Sequence, residues 1–429
     1  MYKVSKPCGR IAGTITVPGD KSVSHRAVML GSIAEGDTII KNFLTGEDCL
    51  STMNCFKELG VEFEGPTGGE LLVHGKGLQG LREPSGILDA ANSGTTIRLI
   101  MGILSGQTFL SVITGDQSLV RRPMGRVVTP LTKMGASIMG RKENTLAPLA
   151  IRGGNLKPID YLSPVASAQV KSAILLAGLY AGGKTTVTEP AKSRDHTERM
   201  LRHFGASVET DGNTVTVHGG PTLKGSEIIV PGDISSAAFL IVAAAVVPGS
   251  DLVIANVGTN PTRDGIIWAL KSMGADITLF NAREMNGEPV SDIRIRHSCL
   301  KGAIFEGDLI PRMIDEIPAL AVAACAAGSE TVVRDAAELK VKESDRISAI
   351  VRALTNMGVN IEGRPDGFII RPGNRLRGAT VETGKDHRIA MAMAVAGLMS
   401  EEEIAIRDYD CVNISFPGFY DVLKSIVKE

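Results

Sequence analysis

The chain has 429 residues, of which 43% are hydrophobic and 22% charged. That length suits two or three domains or one large repeat, and that balance excludes disorder as the main state. Lys and Arg number 46 against 47 Asp and Glu, and aromatics are 4%, so neither the basic excess nor the stacking platform of a nucleic-acid binder is present.

The chain opens on MYKVSKPCGRIAGTITV, which has no apolar core of a signal peptide and reads as strands without a helix. Val17-Pro18-Gly19-Asp20 follows and recurs as Val230-Pro231-Gly232-Asp233. Each copy leads into a polar helix start and then an apolar helix, KSVSHRAVMLGSIAEG and ISSAAFLIVAAAVVPG. Four further segments share this build, starting at Asn92, Ser167, Ile314 and Asp386. Counted from Lys21, Asn92, Ser167, Asp233, Asp315 and Asp386, the spacings are 71, 75, 66, 82 and 71, close to one sixth of the chain. A short β-rich run follows each apolar helix, then an amphipathic helix. Five of the latter end in a shared signature, FKELGVE, LTKMGAS, LRHFGAS, LKSMGAD and LTNMGVN, with Gly as the expected left-handed stop. Alternating hairpin strands come next, as in SVETDGNTVTVHG with Asp211-Gly212 at the turn.

The sixth unit lacks its hairpin, and the N-terminal strands are expected to complete it. The predicted fold is α/β, with two domains of three units each. One is discontinuous, 1–18 with 231–429, and the other is 19–230. The two VPGD copies mark the crossovers, and Gly19 and Gly232 are expected to absorb dihedral changes there.

Six cysteines, at 8, 49, 55, 299, 325 and 411, form no CxxC and read as reduced thiols of a cytoplasmic protein. The longest apolar run, Ala237 to Val247, is too short for a membrane helix of about 20 residues. No His or Cys stands at metal-ligand spacing apart from His196 and His203, which have no third ligand, so neither metal nor cofactor is expected. Gly178 to Thr185 matches the P-loop pattern, but a helix precedes it and a strand follows. That inverted context favours a helix stop and strand start, with a P-loop a distant second.

Polar residues gather at the starts of the apolar helices. Ordinary capping explains Ser167 and Asp233. It does not explain Lys21, Arg26, Arg98 and Arg388, because a cation opposes the dipole at a helix N-terminus unless an anion arrives. Arg121-Arg122, Ser193-Arg194-Asp195 and Lys342 to Arg346 begin second-type helices, where a solvated charged face is the competing explanation.

The motifs PGDKSVSHRA, NSGTTIR, RRPMG, ASAQVKSA, SRDHTE, IDEIP, VKESDR and DHRIAMA, in this order and nearly end to end, closely resemble the 5-enolpyruvylshikimate-3-phosphate synthase family. The resemblance implies two inside-out α/β domains of three βαβαββ units each, with the active site in the interdomain cleft. It implies transfer of the carboxyvinyl group of phosphoenolpyruvate to the 5-hydroxyl of shikimate 3-phosphate, with release of phosphate, through a tetrahedral intermediate. The pathway is that of chorismate and aromatic amino acids. With the resemblance, no metal, cofactor, nucleic acid or membrane is expected to take part, and a cytoplasmic monomer inhibited by glyphosate is expected.

By resemblance, Lys21, Ser22, Arg26, Ser167, Ala168, Gln169, Arg194, Asp315 and Lys342 hold shikimate 3-phosphate. Lys21, Gly94, Arg122, Gln169, Glu343, Arg346 and Arg388 meet phosphoenolpyruvate. Asp315 is the base on the hydroxyl, Glu343 the favoured acid toward C3, and Lys21 its rival. A cation that many members carry before the C-terminal F-P is missing from Val412 to Pro417. UDP-N-acetylglucosamine enolpyruvyl transferase is the alternative, but it begins with K-N where this chain has Lys21-Ser22. It also usually carries a Cys where this chain has none between Gly94 and Gly140.

Overall fold

The computed structural model describes residues 2–428. The chain divides into two compact units. One comprises Met1–Pro18, Pro231–Arg283 and Pro289–Glu429, and the other Gly19–Val230 with Glu284–Glu288. The last five residues are the tip of the long hairpin Asp276–Met285 and Glu288–Arg296, so the chain passes between units at this hairpin as well as at the two VPGD copies.

Gly19–Val230 contains three successive copies of helix, strand, helix and hairpin. The first helices of the copies, Lys21–Ile33, Gly94–Ser105 and Ala168–Gly178, are buried beyond their first turns. Each copy has a four-stranded mixed sheet. In the first, Glu35–Lys41 lies antiparallel to Glu70–Lys76, which pairs in turn with Glu62–Thr67. The last strand of the unit, Glu227–Ile229, returns to run parallel to Glu35–Lys41 and so closes the unit on itself. Thr38 and Ile40 are buried while their neighbours are exposed, which is the alternation of a sheet with one face on a core. The helices therefore lie inside and the sheets outside, because only the helices are apolar on all sides.

The other unit repeats this plan. Its first-type helices are Ile234–Val246, Ile317–Cys325 and His387–Leu398, and every residue of all three is buried. The N-terminal strands divide between two sheets. Tyr2–Ser5 pairs antiparallel with Ile404–Arg407 in the sixth copy. Arg10–Thr16 pairs in parallel with Asp251–Gly258 in the fourth, and antiparallel with the C-terminal strand Val427–Lys428. Each unit has its own hydrophobic core.

The five predicted stop glycines, Gly60, Gly135, Gly205, Gly274 and Gly358, all have φ between +83° and +110°. The glycines at the VPGD crossovers have another origin. Neither takes a positive φ. A Cβ on Gly19 would stand 2.0 Å from the Asn42 carbonyl oxygen, and one on Gly232 would stand 2.9 Å from Val17 Cγ2. Close packing within one unit requires Gly there.

Two boundaries differ from expectation. Asp211 ends its strand, so the hairpin turn is Gly212-Asn213. A short helix, Leu309–Met313, precedes Ile317–Cys325. Asp315 lies in the turn between them rather than inside a helix, because Pro318 favours a fresh helix start.

Candidate active site

The candidate residues fall into two groups, one in each unit. In Gly19–Val230, Lys21 opens its helix, and its Nζ lies 3.0 Å from Asp48 Oδ2. Asp20 caps the same helix by accepting from Val23 N at 2.9 Å. One turn on, Arg26 is almost fully buried. Its Nε donates to Thr197 Oγ1 at 2.6 Å, Nη2 to Ser172 Oγ at 2.9 Å, and Nη1 to the Ser22 carbonyl at 3.0 Å. Burial, which disfavours the charged form, pulls Arg26 down to about 10, although Glu198 and Asp20 oppose the shift. Arg26 still carries its charge at neutral pH.

Gly94 opens the second buried helix behind the capping Ser93, whose hydroxyl accepts from Thr96 N. A Cβ at Gly94 would lie 3.0 Å from Arg98 Nη1 and 3.4 Å from Arg122 Nη1. Both guanidinium groups are anchored. Arg122 Nη2 donates to Asn92 Oδ1 at 2.7 Å and to Ser118 Oγ at 3.2 Å. Arg98 donates to Gln169 Oε1 at 2.6 Å and to the Pro123 carbonyl at 3.2 Å. Gln169 in turn donates to Thr95 Oγ1 at 3.1 Å. Arg122 with Asn92, and Arg98 with Gln169, thus form two hydrogen-bonded pairs that both approach Gly94. Ser167 caps the third helix, which begins at Ala168. Arg194 lies just before the helix His196–His203.

The second group lies on three helix starts of the other unit. Arg346 begins the helix Arg346–Asn356 behind the cap Asp345. Its side chain is 1% exposed and engages three carboxylates. Nη1 donates to Asp315 Oδ1 at 3.1 Å, Nη2 to Glu343 Oε2 at 2.6 Å, and Nε to Asp386 Oδ2 at 2.9 Å. Burial alone would lower its pKa, but Asp386, Glu343 and Asp315 outweigh it and raise it. Lys342 Nζ lies 3.5 Å from Asp315 Oδ1, and burial pulls this ammonium below the usual lysine range. Arg388 Nε lies 3.8 Å from the same carboxylate oxygen, and Arg388 Nη1 donates to the Asp315 carbonyl at 3.1 Å. Asp315, Lys342, Glu343, Arg346 and Arg388 are therefore one cluster, in which three cations meet three carboxylates once Asp386 is included.

Several partners were not predicted as site residues. Asp48 stands on Lys21, Thr197 and Ser172 hold Arg26, and Asp386 holds Arg346 while capping its own helix at Arg388 N. Asp386 carried a signal, as a helix-start carboxylate. The others are far apart in sequence and carried none. The segment without the expected cation forms a 3-10 turn, Tyr409–Ile414. Among the described residues no group of three or more His, Cys, Asp or Glu could hold a metal ion, and no helix is long and apolar enough to cross a membrane.

Six α/β repeats in two units carry guanidinium and carboxylate clusters at the starts of buried helices, the chemistry of a class of proteins that bind small polyanions. The profile of the EPSP synthase (3-phosphoshikimate 1-carboxyvinyltransferase) family matches residues 5–423. The chain is 59% identical over 429 residues to the 3-phosphoshikimate 1-carboxyvinyltransferase of Desulforamulus reducens, covering all of both chains. It is 60% identical over 418 residues to that of Pelotomaculum thermopropionicum, covering 97% of each. The solved EPSP synthase of Acinetobacter baumannii superposes with a TM-score of 0.90 at 48% identity, covering 100% of this chain and 98% of the other. The chain belongs to the EPSP synthase family.

Proposed function

We infer that the chain transfers the enolpyruvyl group of phosphoenolpyruvate to shikimate 3-phosphate, a step of the shikimate pathway to aromatic amino acids. Full-length kinship to 3-phosphoshikimate 1-carboxyvinyltransferases supports this function over the UDP-sugar transferase. The observation that carries the chemistry is the Asp315 carboxylate within 3.8 Å of Lys342, Arg346 and Arg388. A carboxylate among so many cations suits a site where an anionic substrate and a proton acceptor must meet.

In the proposed assignment, Lys21, Ser22, Arg26, Ser167, Ala168, Gln169, Arg194, Asp315 and Lys342 hold shikimate 3-phosphate. Lys21, Gly94, Arg122, Gln169, Glu343, Arg346 and Arg388 hold phosphoenolpyruvate. Asp315 takes the proton of the 5-hydroxyl as its oxygen bonds to C2, and Glu343 or Lys21 delivers a proton to C3. The intermediate then loses phosphate and a C3 proton, which restores the enol ether. Glyphosate takes the place of phosphoenolpyruvate beside Gly94. The protein works as a cytoplasmic monomer, and its six free thiols suit a reducing compartment.

The test is phosphate release from phosphoenolpyruvate, with shikimate 3-phosphate or UDP-N-acetylglucosamine as acceptor, with and without EDTA. Release that requires shikimate 3-phosphate and persists in chelator is expected, because side-chain cations meet the anions. Turnover with the UDP-sugar alone would overturn the proposal.

A further inference from the structure

Glu189 follows the strand Lys184–Thr188 and is 3% exposed. It is not among the residues assigned above, yet its carboxylate joins two of the assigned segments. Oε1 accepts from the backbone N–H of Ser167 at 2.9 Å, at the start of the third buried helix. Oε2 accepts from Ser193 Oγ at 2.7 Å and from Ser193 N at 3.4 Å, one residue before Arg194. Lys171 closes the ring. Its buried Nζ lies 2.9 Å from Glu189 Oε2 and 2.8 Å from Glu198 Oε1, and it donates to the Ser193 carbonyl at 3.4 Å.

We propose that Glu189 is a positioning residue for shikimate 3-phosphate, clamping the Ser167 and Ser193–Arg194 segments at a fixed separation; this rests on the proposed placement of that substrate. Stability alone is a poor explanation for the ring. Ion pairs this deeply buried gain little over well-packed apolar side chains. An ionised carboxylate is, however, the one side chain of this size that can accept from Ser167 on one oxygen while accepting from Ser193 and facing Lys171 with the other. Glu198 extends the link, since it is the leading carboxylate acting on Arg26. An amide in place of Glu189 would turn a donor toward either Ser167 or Lys171 and loosen one side of the clamp.

The experiment is steady-state phosphate release by Glu189→Ala, Glu189→Gln and Arg194→Ala, varying each substrate while the other saturates. Because misplaced contacts cost up to about 100-fold, KM for shikimate 3-phosphate should rise about tenfold in Glu189→Ala and about threefold in Glu189→Gln. KM for phosphoenolpyruvate should stay within about twofold of wild type, a split that general destabilisation would not produce. Glu189→Gln keeps the side-chain volume and leaves Lys171 paired with Glu198, so it decides the matter if the alanine variant does not fold. Unchanged KM values with only a lower Tm overturn the clamp. If KM for shikimate 3-phosphate rises in Arg194→Ala but not in the Glu189 variants, the clamp alone fails. If it rises in none of the three, the substrate placement fails, and the clamp with it.

Discussion

Arg346→Lys keeps the charge of the most heavily engaged side chain in the candidate site and removes its shape. The guanidinium sends Nε to Asp386, Nη1 to Asp315 and Nη2 to Glu343, in three directions from one plane. A lysine ammonium is a single nitrogen on a differently shaped stem and cannot meet all three. It should stay with Asp386, whose side chain is fully buried, and lose Asp315 and Glu343. Hydrogen bonds to charged groups contribute about 1.5–3 kcal/mol each, so two together amount to about 3–6 kcal/mol. Asp315 and Glu343 side chains are 13% and 19% exposed, so water recovers part of this. The expected loss is therefore about 2–4 kcal/mol of stability in this unit, with kcat/KM down by at least about 100-fold. Trp268, the single tryptophan, is exposed and a weak reporter, so urea unfolding is followed by far-ultraviolet circular dichroism. Stability within about 1 kcal/mol of wild type, with kcat/KM within about threefold, would refute the idea that the fork organises the cluster.

Gly94→Ala presses a methyl group against two anchored guanidinium groups. KM for phosphoenolpyruvate should rise about three- to tenfold and glyphosate inhibition should weaken further; unchanged inhibition would place that ligand elsewhere. Lys184→Ala should leave turnover near wild type, because Lys184 pairs with Glu209 at an exposed surface after a helix end and such pairs contribute about 0–1 kcal/mol. ATP binding lost in this variant would reinstate the P-loop. Buried His25 has its pKa held well below 6.5, first by burial and then by Lys21 and Arg26. The unfolded chain thus takes up this proton near pH 6.5 while the folded chain does not, so acid costs stability below that pH, by up to about 1.4 kcal/mol per pH unit. His25→Leu should flatten the acid limb between pH 6.5 and 5 in urea titrations, and an unchanged slope would contradict the assignment. Thr52 keeps Thr96 as a partner in that variant.

The repeat was legible because each copy must meet the same packing demand. A helix enclosed by its neighbours has to be apolar all round, and a helix that turns back needs a left-handed residue at its end. The Ile234–Val246 segment and the five stop glycines carry those demands in their own residues. The candidate cations were legible for a related reason, since Lys21 and Arg388 stand in the first turns of their helices and contradict the dipole there. Their partners were not. Arg26 and Thr197 stand 171 residues apart, and no periodicity relates them. Lys171 did leave a mark, as a lone charge within the apolar run ASAQVKSAILLAGL. A lysine there has to be paired, but nothing local indicates that its partners are Glu189 and Glu198.

Carboxylates beside the cations also have a second role that the residue types alone did not convey. Asp315 and Glu343 were singled out for moving protons, yet together with Asp386 they balance Lys342, Arg346 and Arg388 one for one. An unbalanced cluster of three buried or half-buried cations would repel itself and spread its side chains. The carboxylates hold them converged before any ligand arrives, which is the preorganisation an electrostatic site requires. On the proposed function, phosphoenolpyruvate must then compete with Asp315 and Glu343 for Arg346 and Arg388. Each contact the substrate takes over leaves Asp315 with less positive charge to itself and freer to accept a proton. Binding of one substrate would thereby prepare the base that the other needs, with Asp386, buried behind Arg346, keeping the guanidinium in place throughout.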